Sequence, residues 1–219
     1  MNKKRVTLIH TSPVMIPVFG ELCSELLPKI DVVHMVDESL LRDIIRGNGL
    51  LKPTARRVVG HILSAADAGA DFIMATCSSI GAAAELGREL VDVPVMRVDE
   101  PMGKLAVERG SRIGVVATLA STLNPTAELV RSLARARSEN VEVTARLCEG
   151  AFSAVMSGDS ATHDKIVESG IRELMGKVDV IVLAQASMAR VVKGLPAAEM
   201  TVPVLSSPRP AIEHLATVL

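Results

Sequence analysis

The chain has 219 residues with 24 Lys and Arg against 25 Asp and Glu, a formal charge of −1, three Phe and neither Tyr nor Trp. It therefore lacks the basic patch and stacking rings of a nucleic-acid binder. Hydrophobic residues make up 48%, but the apolar runs are strand-length, well short of the roughly 20 residues a membrane span needs.

The first strand is predicted at residues 5–10, followed by a helix over 17–27 and a second strand over 31–36. Apolar residues at helical spacing (Val58, Ile62, Leu63, Ala66) place a long helix over 53–68, stopped by Gly69. A third strand (72–75), a helix to about residue 90 and a fourth strand (93–98) complete the first half. The second half opens with a helix over 102–109 closed by Gly110, then a strand over 112–117. Asn124-Pro125 reads as helix cap and first helical residue, opening a helix to about residue 137. A strand over 141–146, helices over 151–156 and 164–175, and a strand over 179–183 follow. A helix over 188–193, a short strand at Val202-Pro203-Val204-Leu205 and a last helix over 210–219 end the chain.

Strands that alternate with helices imply βαβ units and parallel sheets. The order also repeats. Asp71 begins Phe72-Ile73-Met74-Ala75-Thr76-Cys77, and Asp179 begins Val180-Ile181-Val182-Leu183-Ala184-Gln185, positions 108 apart. Residues 5–11 match 112–118 at an offset of 107. The expected fold is α/β, with two pseudo-symmetric Rossmann-like lobes, each a mainly parallel four-stranded sheet flanked by helices. The lobes are expected at residues 1–98 with 207–219 and at 99–206, with a ligand cleft between them.

Ligands of open parallel sheets bind beyond the carboxyl ends of the strands. Four such ends carry small polar groups: His10-Thr11-Ser12, Thr76-Cys77-Ser78-Ser79, Thr118 with Ser121 and Thr122, and Gln185-Ala186-Ser187. Hydroxyls and helix-start amides there can cradle an anion, most simply a carboxylate. Cys77 lies one step past a buried strand, where helix amides favour a thiolate. Cys23 and Cys148 read as core residues. Three cysteines without ligand spacing imply neither a disulfide framework nor a metal site. His10 could bring a proton-transfer group into the cleft. His163 and the Asp99-Glu100 pair read as helix-start residues, and His34, His61 and His214 carry no functional expectation.

These corners resemble the aspartate/glutamate/hydantoin racemase superfamily over nearly the whole chain. Ala75-Thr76-Cys77-Ser78-Ser79-Ile80-Gly81 is similar to its first catalytic-cysteine corner. Ile181 through Ala189 resembles the Leu-Gly-Cys-Ala-Gly-Met-Ala corner of hydantoin racemases, and Val93-Pro94-Val95 with Asp99-Glu100-Pro101 resembles the segment after the first corner. The resemblance implies a cofactor-independent reaction. One thiolate removes a proton from a carbon next to a carboxylate or carbonyl, and a second thiol delivers one to the opposite face. Cys77 takes the first role, but Gln185 stands where the second cysteine belongs. An amide has no proton of useful acidity, although it can hydrogen-bond a substrate oxygen.

Three readings stay open at this point. They are a racemase or epimerase acting on an amino acid, hydantoin or dicarboxylate; a single-thiol isomerase or decarboxylase of a small dicarboxylate; and a non-catalytic relative that binds small acids. The ligand is expected to be a small carboxylate or cyclic amide, with no cofactor, nucleic acid or membrane partner. The long helices permit a homo-oligomer. The basic start of the chain resembles a signal peptide's first region, but Thr7, His10, Thr11, Ser12 and Pro13 interrupt any apolar core, so a cytoplasmic location is expected.

Overall fold

A computed structural model describes residues 3–219, apart from the side chains of residues 193 and 197. The chain divides into two compact units. One runs to Glu100 and takes back Pro208–Leu219, and the other is Pro101–Ser207.

The first unit contains β1 (Arg5–His10), α1 (Met15–Leu26), β2 (Asp31–Val36), α2 (Glu38–Arg46), α3 (Lys52–Asp67), β3 (Phe72–Ala75), α4 (Gly81–Arg88) and β4 (Val95–Arg97). Its four strands pair in parallel in the order β2-β1-β3-β4. Parallel neighbours need crossovers, and α1 to α4 supply them. β3 is buried along its whole length, as a strand covered on both faces must be. Ile73 and Ala75 face a layer built on α2, α3 and α4, with Leu40, Ile44, Val58 and Ile62 at its centre. Phe72 and Met74 face the opposite way, against Phe19 and Cys23 of α1 and against Ile212 and Leu215 of the final helix, residues 208–218. That alternation is the two-residue period of a strand.

The second unit comprises α5 (Glu100–Arg109, its first residue still in the first unit), β5 (Arg112–Ala117), α6 (Ala120–Ala136), β6 (Glu142–Leu147), α7 (Ala151–Met156), α8 (Ser160–Leu174), β7 (Val180–Leu183), α9 (Ala189–Gly194) and β8 (Val204–Ser206), and α10 (Pro208–Val218) then returns to the first. Its sheet, β6-β5-β7-β8, is again wholly parallel. The register repeats too: Val6 lies opposite Phe72, and Ile113 opposite Val180.

Three local expectations are corrected. α2 was not anticipated, although Asp37 caps it by accepting from the Ser39 amide at 3.1 Å and Leu40 and Ile44 bury one face. α6 starts at Ala120 rather than at Asn124, so Pro125 lies inside the helix. The helix gives up the bond Pro125 cannot donate, because Leu123, Ala127 and Val130 bury its apolar face on both sides of the proline. α8 begins at Ser160 rather than Asp164, because Asp159 accepts from the Thr162 amide at 2.9 Å.

The amino ends of the two central strand pairs are tied by matching aspartates. Asp71 accepts from the Arg5 amide at 2.7 Å, and Asp179 from the Arg112 amide at 2.8 Å. In the second unit the approach is tight, since a Cβ on Gly110 would lie 2.3 Å from Cβ of Asp179. Gly60, inside α3, has open space where its Cβ would be. Urea unfolding should therefore separate the two positions. Gly110→Ala should lose roughly 1–3 kcal/mol through overpacking, and Gly60→Ala should gain about 0.5–1 kcal/mol from lower unfolded-state entropy. Equal effects would contradict the close approach.

Candidate functional site

Parallel β1 and β3 end together, so the residues that follow them meet. The Thr76 amide donates to the Ile9 carbonyl at 3.0 Å, which carries the pairing one residue past the strand. Cys77 then keeps an extended backbone (φ −130°, ψ 121°) ahead of a single 3-10 turn, Ser78–Ile80, and α4 begins at Gly81. The turn closes with the Ile80 amide donating to the Cys77 carbonyl at 3.2 Å. Thr76, Ser78 and Ser79 are buried, whereas Cys77 is only partly so.

The second unit builds the same corner. Gln185 is extended (φ −125°, ψ 131°) ahead of a 3-10 turn, Ala186–Met188. The Met188 amide donates to the Gln185 carbonyl at 3.1 Å. The Gln185 side-chain oxygen Oε1 accepts from the Thr118 amide at 2.6 Å and from the Thr118 hydroxyl at 2.9 Å. Thr122 is buried in the first turn of α6 and Ser121 partly so, while Ser187 is exposed and Ala186 partly buried.

His10 is fully enclosed at 0% exposure. The Thr76 hydroxyl donates to the Ile9 carbonyl at 3.0 Å and lies 2.8 Å from His10 Nδ1. Its single proton is thus committed, so Nδ1–H of His10 donates to Thr76. His10 Nε2, 2.8 Å from Nδ1 of His34, must then accept from it. This tautomer follows from the hydrogen-bond network. Burial, then the neighbouring His34, brings the pKa of His10 down to about 4, and burial also lowers that of His34. At neutral pH the chain His34–His10–Thr76 is uncharged, and its link to Thr76 ends one residue before the thiol. Both His10 nitrogens are engaged, so it offers no free proton. Thr11 is buried beside it and Ser12 partly so.

The copies differ at these inner positions. Ala117 and Ala184 occupy the places that His10 and Thr76 hold in the first unit, so the second corner has no counterpart of the histidine chain. Sequence reasoning passed over His34 because its role depends on the pairing of β1 with β2.

A buried ion pair supports the first corner from below. Arg97, at the end of β4, bonds Asp99 at 3.0 and 2.9 Å and Glu85 at 2.6 Å. Burial alone would lower the pKa of Arg97, but the two carboxylates more than offset it and keep the guanidinium charged. A Cβ on Gly81 would lie 2.4 Å from its Cζ, so glycine lets this cation pack against the start of α4. Asp99, read in the sequence as a helix-start acid, is fully buried in this pair. His163, also expected at a helix start, is buried in α8, with Nδ1 2.7 Å from Asp164. No group of three or more His, Cys, Asp or Glu that could hold a metal occurs among the described residues, and among them no helix is long and apolar enough to cross a membrane. A polar hollow lined by Lys3, Arg5, Asp31 and Asp71 lies at the amino end of the first sheet, away from Cys77.

Two measurements follow. His10 accepts a proton near pH 4 when folded and near 6.5 when unfolded, so between those values the unfolded state binds more protons. The stabilisation is complete above about pH 6.5 and is lost as pH falls toward 4, by roughly 3 kcal/mol for a shift of this size. Urea titrations across that range should show the loss, and His10→Gln, which cannot titrate, should reduce it to the part that His34 contributes. Iodoacetamide should alkylate native Cys77 first. Burial pushes the Cys23 thiol up to about 11 and raises that of Cys148, so both should react only after unfolding. Peptide mapping that found Cys23 or Cys148 modified first would contradict this order.

Comparison with known proteins agrees on the architecture. The fold matches allantoin racemase from Klebsiella pneumoniae (20% identity, 99% of this chain and 87% of that one, TM-score 0.70). It also matches glutamate racemase from Francisella tularensis in complex with D-glutamate (17%, 100% and 82%, TM-score 0.74). A variant of arylmalonate decarboxylase is a more distant match (17%, 98% and 92%, TM-score 0.59). No curated protein matches by sequence. The family model described as Asp/Glu/Hydantoin racemase matches residues 6–215, and the chain belongs to that family.

Proposed function

We propose that this protein is a cofactor-independent enzyme in which Cys77 works on the carbon next to a carboxylate or amide of a small substrate, an amino acid, hydantoin or dicarboxylate. The observation that carries the reading is the corner itself. Of the three free cysteines, Cys77 alone is not buried, and it stands past the carboxyl end of β3, directly ahead of the turn that opens α4. The thiolate takes the proton on the α-carbon, and the electron pair left behind spreads onto the neighbouring carbonyl oxygen. Return of the proton from sulfur to the same carbon regenerates the thiolate.

Gln185 favours a second form of this reading, a single-thiol isomerase or decarboxylase. Racemisation by two thiols needs an acid on the opposite face, and a carboxamide cannot supply one. In the decarboxylating case the carbon–carbon bond breaks, CO₂ departs, and the Cys77 thiol protonates the carbanion it leaves. In the isomerising case the thiolate adds to a double bond and departs after rotation about the resulting single bond. A relative that only binds a small acid would keep the corners without turnover. The balanced charge and the lack of a membrane-length helix among the described residues support action on dissolved metabolites in the cytoplasm.

Cys77→Ser should cut turnover by roughly 10²–10⁴-fold while leaving the circular dichroism spectrum and urea midpoint unchanged, because the side chain is partly exposed and near-isosteric. Wild-type turnover in the Cys77→Ser variant would refute the proposal. In D₂O, label entering the α-carbon with retained configuration, or release of CO₂, marks single-thiol chemistry. Inversion would show a second acid and restore the two-base racemase.

A further inference from the structure

We infer that Gln185 is a fixed hydrogen-bond donor that receives a carboxylate oxygen of the ligand, an inference that rests on the small-acid reading above. The hydrogen-bond partners fix which end of the Gln185 amide points where. The Thr118 backbone N–H can only donate, so the amide atom 2.6 Å from it has to be Oε1. The Thr118 hydroxyl, 2.9 Å away, donates to the same oxygen. Two donors occupy both lone pairs of Oε1, leaving that oxygen no further role.

The nitrogen is in the opposite situation. Nε2 of Gln185 bonds no acceptor among the described residues, and none of their buried side-chain nitrogens or oxygens is without a partner. The NH₂ group is therefore open to solvent at the carboxyl end of β7. It cannot rotate by half a turn without setting Nε2 against the Thr118 amide, donor against donor. Thr118 is itself buried and sits one residue past β5, so the sheet holds the donor in position.

This polarisation selects the ligand. Two hydrogen bonds into Oε1 draw electron density from the nitrogen and make its protons better donors. A donor to an ionised oxygen forms a bond about twice as strong as one between neutral groups, so a carboxylate profits most. A thiolate at this position would repel that carboxylate, whereas the amide attracts it. Replacing the family's second cysteine with Gln185 thus exchanges a proton-transfer group for an anchoring group. Thr118 acts through Gln185 as a positioning residue.

The test uses the full-length protein, ¹⁵N-labelled, with malonate as probe and sodium chloride as the ionic-strength control. The Gln185 side-chain NH₂ resonances, identified by their loss in Gln185→Glu, should shift saturably with malonate and not with chloride. The Thr118 backbone amide should move with the same midpoint. Gln185→Glu can still accept from Thr118 but presents a negative oxygen in place of NH₂, and it should weaken malonate binding at least about tenfold. Thr118→Val, which keeps the backbone donor and loses the hydroxyl, should weaken it a fewfold with the same fold.

Binding of malonate that leaves the Gln185 resonances unmoved, equal affinity in Gln185→Glu, or no binding by the wild-type protein would each overturn the assignment. Cys77→Ser separates this from the proposed function, since it should keep the titration while losing turnover. A catalytically silent wild-type protein that still shows the titration would sink the enzyme reading alone. An active one with an unresponsive Gln185 would sink only the anchor.

Discussion

In each unit the backbone of one residue stays extended one step beyond the carboxyl end of a central parallel strand, before a turn redirects the chain into a helix. Ladder pairing from the neighbouring strand imposes this conformation: Thr76 donates to the Ile9 carbonyl, and Ala184 to the Val116 carbonyl. The next side chain cannot follow the strand into the core, nor is it yet wound into the helix. It is presented at the strand end beside the donors of the next turn. Cys77 and Gln185 owe their exposure to this constraint, and what each can do chemically depends on it.

Duplication gives the two corners one backbone, and divergence then gives them different interiors. The first is lined by His34, His10 and Thr76, a polar chain in which His10 and Thr76 are buried and His34 partly so, linked by hydrogen bonds. Such a chain stabilises only while every member has its partner, and it fixes rotamers in a way that alanine cannot. At the corresponding places the second unit has Ala117 and Ala184 and relies on Thr118 to orient Gln185. The corner that carries the thiol is thus braced from within the sheet, and further by Arg97 and Asp99 against Gly81. The corner that carries the amide is braced from the adjacent strand end.

The α/β architecture and the duplication could be read in the sequence because both rest on local pattern. Val180 to Leu183 is a continuous apolar run bounded by Asp179 and Gln185, and such runs mark buried strands whatever surrounds them. The cysteine corner was equally legible, since it follows directly from where β3 ends. Contacts set by register were not. Thr118 and Gln185 are 67 residues apart, and only the pairing of β5 with β7 brings them together. The same holds for His10 and His34 across β1 and β2. α2 escaped notice because it has only nine residues, too few for a periodic pattern to stand out, although Asp37 and Ser39 are a recognisable cap. At α6 the proline signal pointed to a start, but tertiary burial of the preceding turn outweighed the one lost hydrogen bond.

The amide at the second corner, where the first carries a thiol, bears on the proposed reaction more than on the fold. Both side chains fit the same extended position and the same 3-10 turn, so nothing in the architecture registers the change. What changes is the supply of protons. A reaction run by two thiols treats both faces of a planar carbanion alike, which is what interconversion of mirror images requires. In the reaction proposed for this chain, Cys77 exchanges protons, and Gln185, as an amide, has none of useful acidity to give. A carbanion that takes its proton from one thiol receives it from a single face, so the product's configuration is set by how the substrate is held against Cys77. Stereochemistry becomes a matter of binding orientation.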